Sequence, residues 1–406
     1  MLTNTLNAAD SLRFSGFVNL GLTYSNSDEF EFRNTILNNA QDGLTFTADS
    51  LLGLQVNARL NEKFDAVGQV VLQDRRDTSA TNYLQLAFLR YQFDRNFSLK
   101  AGRFSTPSYL FTDFRYVGHA LTWVRPPLEM YSVVGSIGNM DGIQGNFVTD
   151  VDFGVIKLGL SYGSTRYEKD ENSGDFRFTY KDLTGINLEL QSTNWRAQAV
   201  MLTTVYDNII FPGIAETRVA ADFVPAPLQQ VTQQIVNGLI PEGTRVTYLS
   251  LGGAYEHNGF ELIGEIADFR SDWVLASDSI FGYLSASYNI DTLTPYITFG
   301  FQNRGEEPGI IDYDALQQVL PDAAFQQLVL LTAPSNESVR STSTDQKSIS
   351  LGLRWDFSDS WSFKTQFDHY KIAEFGSNLF GVKPGLQTPA QKLNYNVFNL
   401  SLTTTF

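Results

Sequence analysis

Alternation between apolar and polar residues along extended segments is the feature that most constrains what this chain can fold into. It runs through residues 12–24, 50–60 and 347–357. In the first of these segments the apolar phase consists of Phe14, Gly16, Val18, Leu20, Leu22 and Tyr24. A period of two residues predicts strands whose two faces meet different environments, one apolar and one wet.

The connections between such segments are of two kinds that alternate along the chain. The short ones lie near residues 61–63, 94–96, 150–152, 192–194, 257–259, 290–293 and 358–360. The long ones lie at residues 26–48, 74–81, 105–141, 164–175, 207–244, 270–278, 304–345 and 373–392. Short periplasmic turns and long extracellular loops are typical of outer-membrane barrels. The pattern therefore predicts an all-β fold, a transmembrane antiparallel β-barrel of about sixteen strands.

A large aromatic residue follows six of the short turns directly. These residues are Phe64, Phe97, Phe153, Trp195, Phe260 and Trp361. At one height around a barrel they would form an aromatic girdle at the membrane interface. A soluble β-sandwich, which is the alternative, predicts mixed aliphatic residues at the starts of its strands.

The third long connection, residues 105–141, abandons the alternation without becoming hydrophilic. It is rich in aromatic residues, and Pro107, Pro126 and Pro127 exclude a central strand. Because an exposed loop with so many aromatic residues would be sticky, we predict that it folds into the barrel lumen and narrows the pore. The candidate constriction residues are Tyr109, Asp113, Arg115, Tyr116, Arg125 and Glu129.

Two other long extracellular loops, residues 207–244 and 304–345, carry patterns typical of short helices. In the first, Pro227 suits an initial helical position and Asn237-Gly238 suits a helix end. In the second, Asp314 can cap a turn through Leu320, and a further segment opens at Pro321 and runs to residue 334. Both are amphipathic, so we expect them to pack on the barrel rim or on a neighbouring subunit.

The strand phase places seven basic residues on the inward face. They are Arg13, Arg59, Arg75, Arg90, Lys100, Arg354 and Lys364. Because closure brings the last strands beside the first, we predict one positive wall, opposite a loop that carries Asp113 and Glu129. Such an arrangement favours small anionic or zwitterionic solutes. Alternatively, the bases only pair with the inward acids Asp65, Glu189, Glu261, Glu265, Asp356 and Asp368.

Composition and charge exclude several other classes of protein. The net charge of -15 argues against nucleic-acid binding, which needs a basic footprint. The chain has no Cys, which removes disulfide frameworks and Cys-type metal sites. No apolar run reaches the roughly 18 residues of a transmembrane helix. Residues 1–14 lack the basic start and apolar core of a signal peptide, so we expect a form whose export signal has been removed.

Residues that could carry catalysis are few and dispersed. The three histidines, His119, His257 and His369, fall in a loop, a turn and a strand. None is paired with a serine as a nucleophile and base would be, and no phosphate-binding or zinc-protease motif occurs. The sequence therefore predicts no enzyme and no cofactor. Asp312 and Asp314 could bind calcium, although a solvated acidic loop is the simpler interpretation.

Two segments carry a family resemblance. The last strand alternates from Phe398 to Phe406 and ends in phenylalanine, which resembles the assembly signal of bacterial outer-membrane proteins. The segment AGRFSTPSY, residues 101–109, is similar to the segment that enters the third loop of Gram-negative general porins. The third loop lacks the PEFGG-type tip of enteric porins, so constriction residues cannot be transferred one by one.

The resemblance to the sixteen-stranded, trimeric porin family implies a single barrel domain over residues 1–406. It also implies an integral outer-membrane protein in contact with lipid and lipopolysaccharide, and a homotrimer. The expected function is a water-filled channel for passive diffusion of small hydrophilic solutes and ions. Alternatives are a surface barrel acting mainly as an adhesin or receptor, or as an enzyme, and a sugar channel. The last would use Tyr109, Phe111, Phe114, Tyr116 and Trp123 as an aromatic slide.

Overall fold

Sixteen long strands form the wall of this protein. The computed structural model describes residues 11–76, 78–132, 135–168, 177–210, 238, 243–273, 275–276, 278–305, 317–318 and 321–406. Within them the barrel strands are β1 Leu12–Ser25, β2 Leu51–Arg59, β3 Phe64–Gln73, β4 Leu84–Gln92, β5 Phe97–Ser105, β6 Asn139–Val151, β7 Gly154–Glu168, β8 Arg177–Gln191, β9 Trp195–Ile210, β10 Arg245–His257, β11 Phe260–Ser271, β12 Ser279–Tyr288, β13 Leu293–Arg304, β14 Thr344–Ser358, β15 Trp361–Ser377 and β16 Leu393–Thr405.

Each strand pairs antiparallel with its neighbours in the chain, and β1 closes the cylinder by pairing with both β2 and β16. At the closure Phe17 lies opposite Thr405, and Gly16 and Phe406 exchange backbone hydrogen bonds of 2.8 and 3.0 Å. A side chain at Gly16 would have to displace the terminal Phe406 ring, because a Cβ atom would lie 2.5 Å from it. The closed ladder leaves no strand edge, as a barrel in a bilayer requires.

The alternating short and long connections are confirmed. The short turns match the predicted positions within two residues, and the longest connections lie at the opposite end of the strands. Some strands run further than predicted. Strand β7 extends to Glu168 and so occupies part of the predicted 164–175 loop, and β15 extends to Ser377 within the predicted 373–392 loop. Strand β8 contains a bulge near Asp182, whose φ is 52°.

The two faces of the wall differ as the alternation predicts. On β16, Phe398 is 44% exposed, whereas the flanking Val397 and Asn399 are fully buried. The six aromatic residues that follow the short turns are all exposed on the outer face, and the Phe153 and Trp195 rings stack at 6.1 Å. The outer surface is therefore apolar with aromatic rings near the turns, as hydrocarbon and its interface require.

Helices are confined to the connections. They are α1 Ala80–Tyr83, α2 Leu128–Tyr131 and α3 Asp322–Ser341, with single 3-10 turns at Thr112–Phe114, Gly118–Ala120 and Gly135–Ile137. None of the helices in the described ranges has the length and apolar character that crossing a bilayer requires.

One of the two long loops predicted to contain short helices contains a described helix. Helix α3 begins after Pro321 as expected, but it ends at Ser341, beyond the predicted end at residue 334. Tertiary contacts hold the helix, because Leu328 and Val339 are buried and Glu337, near its C-terminal end, accepts a 2.6 Å hydrogen bond from Thr388. Most of residues 312–320 and of the predicted helix at 223–241 lie outside the described residues.

A pair of arginine substitutions tests the two faces. Leu251 lies halfway along β10 and is 63% exposed on the outer face, whereas Gln198 on the adjacent β9 points inward. We expect Leu251→Arg to reduce the free energy of unfolding by about 2–4 kcal/mol, the cost of arginine near the bilayer midplane. Gln198→Arg should cost much less. Denaturant unfolding in lipid vesicles measures both, and equal losses would contradict the assignment of the faces.

Candidate pore and its internal loop

Residues 106–132 and 135–138, which together we call the internal loop, lie inside the barrel. Their aromatic side chains pack against the inward faces of β12 and β13. The Trp123 indole Nε1 donates to Ser285 Oγ at 2.8 Å and to Thr298 Oγ1 at 3.0 Å, and its ring meets Tyr283 edge to face at 5.6 Å. The Tyr109 and Tyr131 rings stack at 4.4 Å within the loop. The loop is therefore a packed element rather than a mobile flap.

Glu265 of β11 is the first of three charged anchors for the loop. Its buried carboxylate accepts hydrogen bonds from the Leu110 amide at 2.8 Å and from the Tyr131 hydroxyl at 2.7 Å. The Tyr283 hydroxyl donates a third at 2.7 Å. Burying a carboxylate is costly unless its oxygens are hydrogen-bonded, so this site fixes the start of the loop against β11.

Lys364 of β15 is the second anchor. Its ammonium group is fully buried and donates to the carbonyl oxygens of Gly118 at 2.6 Å and Trp123 at 2.9 Å, and to that of Leu121. Three carbonyl acceptors match the three donors of a lysine ammonium group. Arg354 supports the same turn, because its Nη1 donates to the Leu121 carbonyl at 2.8 Å.

Arg125, in the loop itself, is the third anchor. Its guanidinium group bonds both carboxylate oxygens of Asp49 at 2.9 Å and reaches Asp368 of β15 at 3.0 Å. It also contacts the Asn399 amide of β16 and lies 4.7 Å from the Phe32 ring centre. All three charged groups are buried, so the planar guanidinium joins the loop, the wall and the first extracellular loop in one network.

Glu129 in α2 is also buried rather than exposed to a pore. Gln346 of β14 donates to its carboxylate at 2.9 Å. Burial raises the pKa of the Glu129 carboxyl group, and the hydrogen bond from Gln346 opposes that change. Gly300 on β13 leaves the space for this contact, because a Cβ atom there would lie 2.5 Å from Glu129 Oε2.

Tyr116 lies between two arginines at the β3 side of the loop. Its hydroxyl accepts a 3.2 Å hydrogen bond from Arg75, and the Arg115 guanidinium lies 4.6 Å from its ring centre. Burial by itself raises the pKa of the Tyr116 phenol, but the positive charges of Arg115 and Arg75 outweigh it and lower the pKa to about 7. The Asn19 amide further holds the loop by donating to the Tyr116 carbonyl.

Inward bases that face away from these anchors form a band that we call the basic arc. Each lies within about four residues of the turn end of its strand, on β1, β2, β4, β5, β7 and β9. They are Arg13, Arg59, Arg90, Lys100, Lys157 and Arg196. Inward acids on β1 to β9 are fewer, namely Asp65, Asp150 and Glu189, so this part of the wall is net positive.

Ion pairing accounts for only part of the basic arc. Arg90 pairs with Asp65 at 2.8 Å and Lys157 with Glu189 at 2.9 Å. Within the described ranges, Arg13, Arg59 and Lys100 have no salt-bridge partner. Asp113 is exposed on the internal loop and lies within electrostatic range of Lys100. Arg196 lies 4.4 Å from the Phe111 ring centre, where the arc meets the loop.

Several predicted site residues require correction. Tyr109, Arg125 and Glu129 do not face open water, because they are buried between the loop and the wall. Of the predicted basic wall, Arg75 and Lys364 are likewise buried, and Arg354 binds the loop. Strand phase predicts whether a side chain points inward but not what covers it. Here the internal loop covers inward side chains of β14 and β15.

Sequence reasoning also missed residues that the structure brings to the lumen. Lys157 and Arg196 are inward bases close to short turns, so extending the strand phase through β7 and β9 would have found them. Asp49 gave no such signal, because it lies in a long loop. Within the described ranges no group of three or more His, Asp or Glu side chains could hold a metal ion. The possible calcium ligands Asp312 and Asp314 lie outside the described residues.

Replacing Arg125 tests the third anchor. Arg125→Met leaves Asp49 and Asp368 as buried charges without their cation, and we expect the free energy of unfolding to fall by about 3–5 kcal/mol. The matched control is Arg90→Met, which removes a partly exposed ion pair worth about 0–1 kcal/mol. Denaturant unfolding in vesicles measures both. Similar small losses would show that the Arg125 network does not hold the loop.

Comparisons with known proteins agree with this architecture. The family model for Gram-negative porins matches residues 1–374. No curated protein matches the sequence. Among solved structures, the fold is similar to an anion-selective porin from Comamonas acidovorans, with 12% identity over 98% of this chain and 99% of that one and a TM-score of 0.54.

Two further structures share the fold. Salmonella typhi OmpF in complex with daunomycin is 12% identical over 97% of each chain, with a TM-score of 0.53. In-vitro folded OmpT of Vibrio cholerae, in its trimer form, is 12% identical over 98% of this chain and 99% of that one, with a TM-score of 0.50. Identities this low establish the fold alone. With the family match over most of the sequence and a closed sixteen-stranded barrel, the chain belongs to the Gram-negative porin family and forms a channel in the outer membrane.

Proposed function

We propose that small hydrophilic solutes and ions diffuse passively between the internal loop and the basic arc. The observation that carries this proposal is that the charged anchors of the loop lie on β11, on β15 and in the first extracellular loop, away from the basic arc. Glu265, Lys364 and Asp368 hold it against β11 and β15, and Asn19 holds it against β1. In the described part of the chain, five of the six basic-arc side chains make no hydrogen bond to the loop, and Arg196 meets it through ring contacts.

The charge distribution favours small anions in this passage. Bases outnumber acids on the inward face of β1 to β9. On the opposite side, near the turns, the inward acids Glu256 and Glu261 face the lumen. Solutes would therefore cross a transverse field, and unpaired bases would raise the local concentration of anions. The Comamonas acidovorans porin is described as anion-selective, which makes this preference compatible with the shared fold.

The packing of the loop disfavours a sugar channel with an aromatic slide in this region. Such a slide needs rings that are exposed in a row, whereas Tyr109, Phe111 and Trp123 are buried against the wall and against each other. The apolar surface of these rings already packs the loop against the wall. The porin family and its fold are also typical of channels without catalytic activity.

Charge reversal in the basic arc tests the selectivity. Two unit charges about 8 Å apart in water interact by about 0.5 kcal/mol, and reversing one of them doubles the difference. We therefore expect Lys100→Glu to lower the chloride permeability by about fivefold and to raise the potassium permeability by a similar factor, so that the chloride-to-potassium ratio falls by about thirtyfold. The control is Lys392→Glu, the same change in an extracellular loop. Reversal potentials in a potassium chloride gradient measure the ratio.

Two results would contradict the anion preference. One is a cation-selective wild-type channel at neutral pH. The other is an equal change in selectivity for the Lys100 and Lys392 variants, because the effect would then reflect net charge rather than the position of the basic arc.

We also propose that the protein assembles as a homotrimer. The trimer form of Vibrio cholerae OmpT, which shares the fold, supports this assembly. The mass of the detergent-solubilised protein, measured by light scattering with the detergent contribution subtracted, should equal three chains. A single-chain mass under mild detergent conditions would contradict the proposal.

A further inference from the structure

Two lysines lie directly opposite each other on the outer face of adjacent strands. Lys347 of β14 and Lys371 of β15 are cross-strand partners, and both residues are exposed. They share the outward phase of their strands with the exposed Leu351 and Phe367. Like charges directly opposite in an antiparallel pair are destabilising. The barrel wall by itself therefore gains nothing from this lysine pair.

The position of Lys371 along β15 places the pair at the extracellular edge of the membrane. Trp361, in the aromatic girdle near the short turns, lies ten residues earlier on the same strand. At a rise of about 3.3 Å per residue and a tilt of about 40°, ten residues span about 25 Å along the bilayer normal. The apolar band of an outer-membrane barrel is about 25 Å tall. The two ammonium groups therefore lie at the level of the lipid head groups.

Cross-strand rows of β13 to β16 show where the apolar band ends. One outward row is wholly apolar and consists of Ile297, Leu351, Phe367 and Phe398. In the next row towards the extracellular side, His369 Nδ1 and Asn396 Oδ1 lie at a hydrogen-bonding distance of 2.7 Å. The row after that contains both lysines and Asn394, the partner of Lys371. Polar side chains thus begin at the height that the strand length indicates.

Acidic residues near the lysine pair neutralise only part of its charge. The described charged residues at this end of β13 to β16 are Arg304, Asp345, Lys347, Lys371, Glu374 and Lys392. Four bases thus stand beside two acids. Asp345 lies within electrostatic range of Lys347, but its ion pair is with Arg304, at 3.8 Å. Within the part of the chain that the structure describes, neither lysine of the pair has a salt-bridge partner.

We propose that Lys347 and Lys371 bind a phosphate group of lipid A, the anionic glycolipid of the extracellular leaflet. The phosphate oxygens accept hydrogen bonds from both ammonium groups, and the negative charge removes the repulsion between them. The acyl chains of the same lipid lie along the apolar row that contains Leu351 and Phe367. Because this site is on the outer face of the barrel, it goes beyond the proposed diffusion function and does not depend on the ion preference of the pore.

Native mass spectrometry of the detergent-solubilised full chain, titrated with bisphosphorylated lipid A, tests the proposal. We expect saturable binding of this lipid. Phosphate-free lipid A with the same acyl chains should bind at least tenfold more weakly, because it lacks the charged group. Inorganic phosphate at the same concentration as the lipid should not displace it, because the free ion makes no contact with the apolar row.

Substitutions locate the binding. The double variant Lys347→Gln, Lys371→Gln removes both charges and keeps long polar side chains. Each lysine near an anionic lipid surface strengthens binding about fivefold, so the double variant should bind lipid A about thirtyfold more weakly. The matched control is Lys181→Gln at the extracellular end of β8. Lys181 has an acid partner, Asp207, at 3.5 Å, and its replacement should leave lipid binding unchanged.

Unfolding experiments separate lipid binding from folding. In uncharged detergent without lipid A, the double variant should be at least as stable as the wild type, because two like charges no longer oppose each other. Added lipid A should stabilise the wild type more than the double variant, because a ligand stabilises the folded state that binds it.

The proposal is overturned if phosphate-free lipid A binds as tightly as the bisphosphorylated form, or if the double variant keeps the wild-type affinity. A double variant that binds lipid A normally but loses its assembly into three chains would also overturn it, because the lysines would then belong to a contact between subunits.

Discussion

In the hydrocarbon of a bilayer, a backbone N–H or C=O group can find no water, and the rest of this structure depends on that constraint. Strands satisfy it only when their ladder closes, and here closure rests on the pairing of β1 with β16 and on the exchange between Gly16 and Phe406. Once the cylinder is closed, each strand has an outer face in lipid and an inner face in the lumen. The alternation along the sequence is the chemical consequence of those two environments.

Closure also encloses charged side chains of the inward face, and these need polar partners. The internal loop supplies such partners to the side chains that it covers. Glu265, Lys364 and Asp368 would be costly to bury alone, and the loop supplies backbone amides, carbonyls and the Arg125 guanidinium as partners. The wall and the loop thus stabilise each other, and the position of the loop follows from the positions of three charges.

The position of the internal loop also divides the lumen into chemically different regions. Near the turns, the basic arc faces the exposed Asp113 and the acids of β10 and β11. On the extracellular side, the ends of β8, β9, β11 and β13 line a cavity of about 680 Å³ together with residues of the long loops. Structures that are only 12% identical to this chain share its fold and nothing finer, so the barrel defines a channel but not its solute.

The sequence by itself determined the barrel, the order of turns and loops, the phase of each strand and the entry of residues 105–141 into the lumen. These follow from local periodicity, since lipid and water act on every strand in the same way. The inward phase of Lys157 and Arg196 was equally readable, although neither was predicted. Only the tertiary structure decided that Lys364, Arg125 and Glu129 are covered while Lys100 is only partly buried and Asp113 is exposed. That difference depends on which side of the barrel the loop packs against, and contacts between residues more than two hundred positions apart, such as Arg125 and Asp368, set that side.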